Sequence, residues 1–179
     1  MSDTNNNRPV TYAMRWDPNT LRPDQVMTDI DARWRNQRGF HYAVVLGDVE
    51  HPEVVLDIDW RKQLLITYFL DEFSRLRLKY QFQKIDDESL FMTTSTLFMY
   101  QGSAHAPADS AYLVDQWQYL PTGRGHRELW EDGKGLTEVD FDEADIALCW
   151  EPTPTFGAWT SISRMDRTQP LWTPPPPRR

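Results

Sequence analysis

The chain has a single cysteine, Cys149, so it can close no disulfide within itself and cannot build a cysteine metal cluster alone. Glycine is sparse, with 8 in 179 residues, and none sits in a loop of the kind that cradles phosphate. The His-Glu-x-x-His order of zinc proteases and the Gly-x-Ser-x-Gly turn that presents a nucleophilic serine are also missing. Cys149 stands in Ala147-Leu148-Cys149-Trp150 without an activating neighbour and reads as a small buried hydrophobe. No apolar run reaches the length that spans a bilayer. Basic residues are outnumbered, 19 against 27 acidic, and the formal charge of -8 works against nucleic acid and anionic membrane as partners. The opening Ser2-Asp3-Thr4-Asn5 lacks the basic-then-apolar order of a signal peptide, and with one cysteine this leads to the expectation of a cytoplasmic protein.

What the chain does have is aromatic and aliphatic bulk: 13% aromatic and 40% hydrophobic residues. A single domain of this length buries roughly two-thirds of its unfolded surface without a disulfide or metal. The expected division is a polar, flexible N-terminus over residues 1–9, one β-rich domain over 10–170, and a proline-rich tail over 171–179 that ends in Arg178-Arg179.

The clearest element is a long hairpin. Leu76, Leu78, Tyr80 and Phe82 alternate with Arg75, Arg77, Lys79 and Gln81, the two-residue period of a strand with one dry face. Asp86-Asp87 supplies turn chemistry, and residues 90–100 return as a second β-rich run. A tight turn there would set Tyr80 opposite Thr93, Leu78 opposite Ser95 and Leu76 opposite Leu97. Arg75, Arg77 and Lys79 would then face outward.

Other segments follow the same logic. Residues 10–16 read as a strand or packed arm, followed by a turn at Asp17-Pro18-Asn19. Asp24 is expected to cap a helix to about Gln37, with Val26, Ile30 and Trp34 as its apolar stripe and Gly39 as its stop. Extended segments are expected over 40–46, 53–58, 63–70 and 112–119, with a helix over 60–73 as the alternative for the third. A second hairpin joins 126–131 to 136–142 around Asp132-Gly133-Lys134-Gly135; pairing about the glycines sets His126 against Asp142, Glu128 against Asp140 and Trp130 against Glu138. Residues 144–150 and 158–165 are expected to form a last antiparallel pair. The sum is a mainly antiparallel β fold with an N-terminal helix, for which a calycin-like β-barrel is favoured and a curved-sheet α+β cone is the alternative.

In such a barrel Tyr80, Phe82, Phe91 and Trp117 are candidate pocket walls, while Thr93, Ser95 and Tyr112 are candidates to orient a carbonyl or hydroxyl group. The concentrated polar group is His126 and Glu128 with Asp140 and Asp142, where a carboxylate can orient the imidazole or raise a neighbour's pKa for acid–base work. These groups are also metal-ligand types, yet one His among acids completes no recognised motif and a solvated face explains them, so neither metal nor cofactor is assigned. The Asp48-to-Glu53 stretch reads as an exposed turn, and His41 and His105 as structural or solvent-facing. The expected function is a barrel that binds a small apolar or aromatic metabolite. Its chemistry would be that of a cofactor-independent lyase, isomerase or cyclase acting on a carbonyl compound, with Tyr80 or Tyr112 orienting it and His126 or Glu128 moving the proton. The alternative is a non-enzymatic acidic module that binds or inhibits a protein partner through the second hairpin and the tail.

Overall fold

The computed structural model describes residues 8–17, 20 and 22–167. Residues 1–7 of the flexible N-terminus expected over 1–9, the Pro18-Asn19 part of the expected turn and the proline-rich tail over 171–179 lie outside the described residues.

Eleven strands form one sheet among the described residues: β1 (Val10–Asp17), β2 (Arg22–Met27), β3 (Tyr42–Gly47), β4 (Pro52–Asp59), β5 (Leu64–Leu70), β6 (Leu76–Lys84), β7 (Ser89–Met99), β8 (Leu113–Tyr119), β9 (Gly125–Glu131), β10 (Gly135–Phe141) and β11 (Trp150–Pro152). Every pairing is antiparallel. From β3 to β10 each strand lies beside the next in sequence; at the other end the order is β3-β1-β2, and β11 joins β7 off the main path. The mainly antiparallel β class is therefore as expected. The outer strands β2 and β10 are not paired with each other, so the sheet does not close.

One helix, α1 (Asp29–Arg38), sits between β2 and β3. It starts later than expected. Residues from Arg22 to Met27 are an edge strand, where Pro23 is tolerated because no donor is needed on the open side. Thr28, not Asp24, is the cap: its Oγ1 accepts the Asp31 N–H at 3.1 Å. Gly39 ends the helix in the left-handed region at φ 73°, as expected. The expected stripe is exposed, since Val26, Ile30 and Trp34 all face solvent and Ala32 is the helix residue that enters the core.

Both faces of the central strands are covered, which is why β3 is apolar and buried along its whole length rather than alternating. One face carries Val44, Leu56, Leu65, Phe69, Tyr80 and Phe82, roofed by Trp159 and Ile162 from the C-terminal segment. The other carries Ala13, Ala43, Val45, Val55 and Tyr68, with Trp16 and Leu76. Full burial of each large side chain here contributes roughly 1.5–3 kcal/mol.

Three further expectations are corrected. Residues 64–70 are strand, so the helical alternative over 60–73 does not form. Arg75 does not face outward: a bulge at Phe69/Leu70 re-aims the start of β6, and the buried guanidinium bonds Asp71 through Nε at 2.8 Å and the Gly102 carbonyl at 2.9 Å. The last antiparallel pair is absent. Residues 150–152 pair with β7 instead, and the segment beyond crosses the core as turns, with Gly157 at φ 91° and Arg167 tied to the Glu151 carboxylate and the Ser161 carbonyl. No helix among the described residues is long and apolar enough to cross a membrane.

Candidate functional site

The site arises where one strand is shared by two partners. β8 pairs with β7 over Thr94 to Met99, and β11 pairs with the same edge over Ser89 to Phe91. Between them, Met92 and Thr93 have no ladder partner on that side among the described residues. On the opposite side a bulge near Gln81/Phe82 displaces Thr93 from the β6–β7 register, and its hydroxyl donates to the Gln81 carbonyl at 3.3 Å. A groove of about 830 Å³ opens at this split. Gln81, Thr93, Thr94 and Gln118 offer amide and hydroxyl groups to it, and His126 and Asp140 stand along it.

On the other face of the sheet, at the same end, stands a group of aromatic rings. Phe141 lies over Gly125, where a Cβ would come within 2.1 Å of the Gln118 carbonyl oxygen and 2.3 Å of the Phe141 ring, so only glycine allows this approach. The Phe141 ring also contacts Tyr119 and Trp117, with centroids 5.9 and 5.4 Å away. Arg124 and Asp142 at the rim form an exposed ion pair at 3.0 Å. Beneath, Arg127 makes a bidentate bond to the buried Asp115 at 2.8 and 3.0 Å while lying over Trp117, which fixes β9 on β8.

The β9–β10 hairpin turns one residue earlier than the expected register required. Glu131 pairs with Gly135, leaving Asp132, Gly133 and Lys134 as the loop; Gly133 and Gly135 both have positive φ. The whole register therefore moves by two residues: His126 meets Asp140, Glu128 meets Glu138, and Trp130 meets Leu136. A shift of two preserves each strand's faces, so His126 and Glu128 still share a face with Asp140. Asp140 Oδ1 is 2.7 Å from His126 Nδ1. Oxygens of Glu128 and Glu138 each stand 3.7 Å from Nε2. Gln116 Nε2 donates to the other oxygen of Glu128 at 3.1 Å. The His126 pKa is raised above its ordinary value, first by the bond to Asp140 and further by the charges of Asp140, Glu128 and Glu138.

The remaining candidates are not brought together with His126. Tyr80, Phe82, Phe91 and Ser95 lie in the closed core. Tyr80 donates its hydroxyl to the Met165 carbonyl at 2.6 Å and packs edge-on to Phe69 and Phe82. Phe91 meets Trp150 at 4.9 Å between centroids. Tyr80 pairs with Ser95 and Leu78 with Leu97, two residues from the expected register: the Asp86 side chain organises a wider turn by accepting the Glu88 and Ser89 N–H groups, which moves the pairing by one, and the bulge at Gln81/Phe82 adds the second. Trp117 stands on the face opposite His126, over Arg127. Tyr112 lines a separate hollow of about 450 Å³ with Tyr100 and Trp130. Of the hydroxyls proposed for ligand contact, Thr93 alone reaches the groove.

Gln81, Thr94, Gln118, Tyr119 and Glu138 were missed by sequence reasoning. The one local signal was Thr93-Thr94, a polar doublet that interrupts the alternation and marks the bulge. His41, expected to be structural or solvent-facing, is half-buried with Nε2 2.5 Å from Asp57 Oδ1. Comparison with protein-family models, curated proteins and solved structures finds no match to this chain.

Proposed function

We propose that the chain binds a small aromatic or apolar metabolite bearing a carbonyl or hydroxyl group, and that the groove at the β7–β8–β11 split is where it sits. The observation carrying this reading is a groove of about 830 Å³ with the amide and hydroxyl residues Gln81, Thr94 and Gln118 on one sheet face, Thr93 at the strand split, and Tyr119 and Phe141 bordering it from the opposite face. Amides and hydroxyls orient the polar end of such a ligand, and its apolar body meets the rings at the margin of the groove. The closed core offers Tyr80, Phe82, Phe91 and Ser95 no part in this. The chemistry within reach is proton transfer by His126, aligned by Asp140, which suits a cofactor-independent lyase, isomerase or cyclase. A cytoplasmic setting agrees with a lone, buried Cys149 thiol whose pKa burial pushes up to about 11.

The test is a fragment screen by protein-observed NMR on the full chain, comparing wild type with Thr94→Trp, which fills the groove. Aromatic carbonyl fragments should shift resonances of Thr93, Gln118 and Phe141 in wild type only. Shifts elsewhere, or shifts that survive in the variant, would end the reading.

The open edge of β10 favours a second reading as a protein-binding module. Leu136 and Val139 are exposed on that strand beside Glu138 and Asp140, and its outer backbone groups have no strand partner among the described residues. Recovery of one specific protein partner, lost on neutralising Glu138 and Asp140, would support it over the groove.

A further inference from the structure

We propose that His126, Glu128 and Glu138 form a binding site for a borderline divalent cation such as Zn2+, with Asp140 holding the imidazole from behind. This goes beyond the groove reading and claims the same Nε2 that proton transfer would use. One suitable ligand atom from each of the three residues lies within 4.8 Å of the others.

The register creates the need for a cation. Glu128 and Glu138 stand directly opposite each other, and like charges in that relation repel. With Nδ1–H donated to Asp140, the neutral imidazole turns the Nε2 lone pair toward two more acceptor oxygens. At 3.7 Å neither oxygen is within ordinary hydrogen-bond reach even of a protonated Nε2. A metal attracts all three groups at once.

The spacing suits that occupant. Tetrahedral zinc with bonds of roughly 2.0–2.1 Å sets neighbouring ligand atoms roughly 3.4 Å apart. The two nitrogen–oxygen separations close from 3.7 Å by a few tenths of an ångström, and the two carboxylate oxygens, within 4.8 Å of each other, by roughly 1.4 Å at most. The side chains are partly exposed and free to make these shifts. The surroundings match as well: a carboxylate on the remote ring nitrogen fixes the tautomer, and Gln116 holds Glu128 Oε2 so that Oε1 faces the imidazole. One nitrogen and two carboxylates suit zinc and its neighbours, whereas magnesium and calcium prefer oxygen alone. Three protein ligands leave a position for water or for a ligand oxygen, and His126 borders the groove from which either would come.

A proton and a metal compete for Nε2, so the loaded site cannot use His126 for proton transfer. The two readings therefore fail separately.

The test is Zn2+ titration of the full chain by calorimetry at pH 7.5, with visible absorption of the Co2+ form to report the ligand set. Wild type should bind one equivalent. His126→Ala and Glu138→Gln should each weaken binding by about tenfold or more, and Asp140→Asn by about ten- to a hundredfold. Glu131→Gln, on the same hairpin but outside the cluster, should bind as wild type. Repeating the titration in buffers of different ionisation enthalpy near pH 6 should show a proton released on binding. Unchanged affinity in His126→Ala and Glu138→Gln, or no binding at millimolar Zn2+, would overturn the proposal. Zn2+ binding that persists in Thr94→Trp would leave the metal site standing whatever becomes of the groove.

Discussion

Glu128 and Glu138 face each other across β9 and β10, and His126 Nε2 lies 3.7 Å from one oxygen of each. A charged imidazole offsets their repulsion and a neutral one does not. Without metal, Glu138→Gln should therefore raise stability at pH 8 by a few tenths of a kcal/mol, within the roughly 0.2–1 kcal/mol typical of cross-strand pairs. The gain should shrink at pH 5.5, where His126 carries its proton. Urea denaturation at the two pH values checks both parts.

The His126 pKa itself is the second expectation. Asp140 is the largest cause of its rise above 6.5, so Asp140→Asn should bring it down, as read by NMR titration of the imidazole. The sign for stability follows from the raised folded-state value. The contribution is fully present below the unfolded pKa and is lost as pH rises through the higher folded pKa. Asp140→Asn should remove most of that dependence.

Ser95 offers a test of the core. Its Oγ is fully buried and has no hydrogen-bond partner among the described residues. Removing an unsatisfied hydroxyl relieves its desolvation cost, so Ser95→Ala should be neutral or stabilising by up to about 1 kcal/mol. Tyr80→Phe should instead cost about 1 kcal/mol through loss of the bond to the Met165 carbonyl. Neither change should alter fragment binding in the groove.

Arg167 is fully buried against Glu151 and holds the C-terminal segment over the sheet. Arg167→Ala leaves a carboxylate buried with its main partner gone, since Arg164 reaches it only at 3.8 Å. A loss of about 3–5 kcal/mol is expected from the urea midpoint, with Arg167→Met and Glu151→Leu together recovering much of it.

Gly125→Ala places a methyl group against the Gln118 backbone and the Phe141 ring. The backbone contact cannot be relieved by a rotamer change, so β8 and β9 must part locally. We expect a loss of about 1–3 kcal/mol in thermal unfolding and displacement of Phe141, seen as changed aromatic NMR shifts.

The legibility of the sequence differed from element to element. Leu78, Tyr80 and Phe82 announced the inner face of β6 because side-chain alternation is a local property of extended backbone. The β9–β10 hairpin was visible in Asp132-Gly133-Lys134-Gly135 for the same local reason. Residues 22–27 misled, because Pro23-Asp24 resembles a helix entrance and only β1 beside it makes the segment a strand. Residues 144–165 misled in the opposite sense. They contain strand-like residues, but the edge left vacant on β7 takes only Trp150 to Pro152. The groove was invisible, since its floor depends on where β8 leaves β7, a relation between residues far apart in the chain.

By itself the sequence determined which side chains share a face: His126, Glu128 and Asp140 stand together under either hairpin register, because a period of two survives a shift of two. Tertiary structure decided which acid bonds the imidazole and which two flank it, through a three-residue turn and the Arg127–Asp115 anchor on β8. It also decided that Tyr80 and Phe82 are packed core, through the C-terminal segment laid across them. Facing is fixed by the geometry of each residue's own backbone. Register, strand sharing and coverage are fixed by energies summed over contacts between distant segments, which no single stretch of sequence carries.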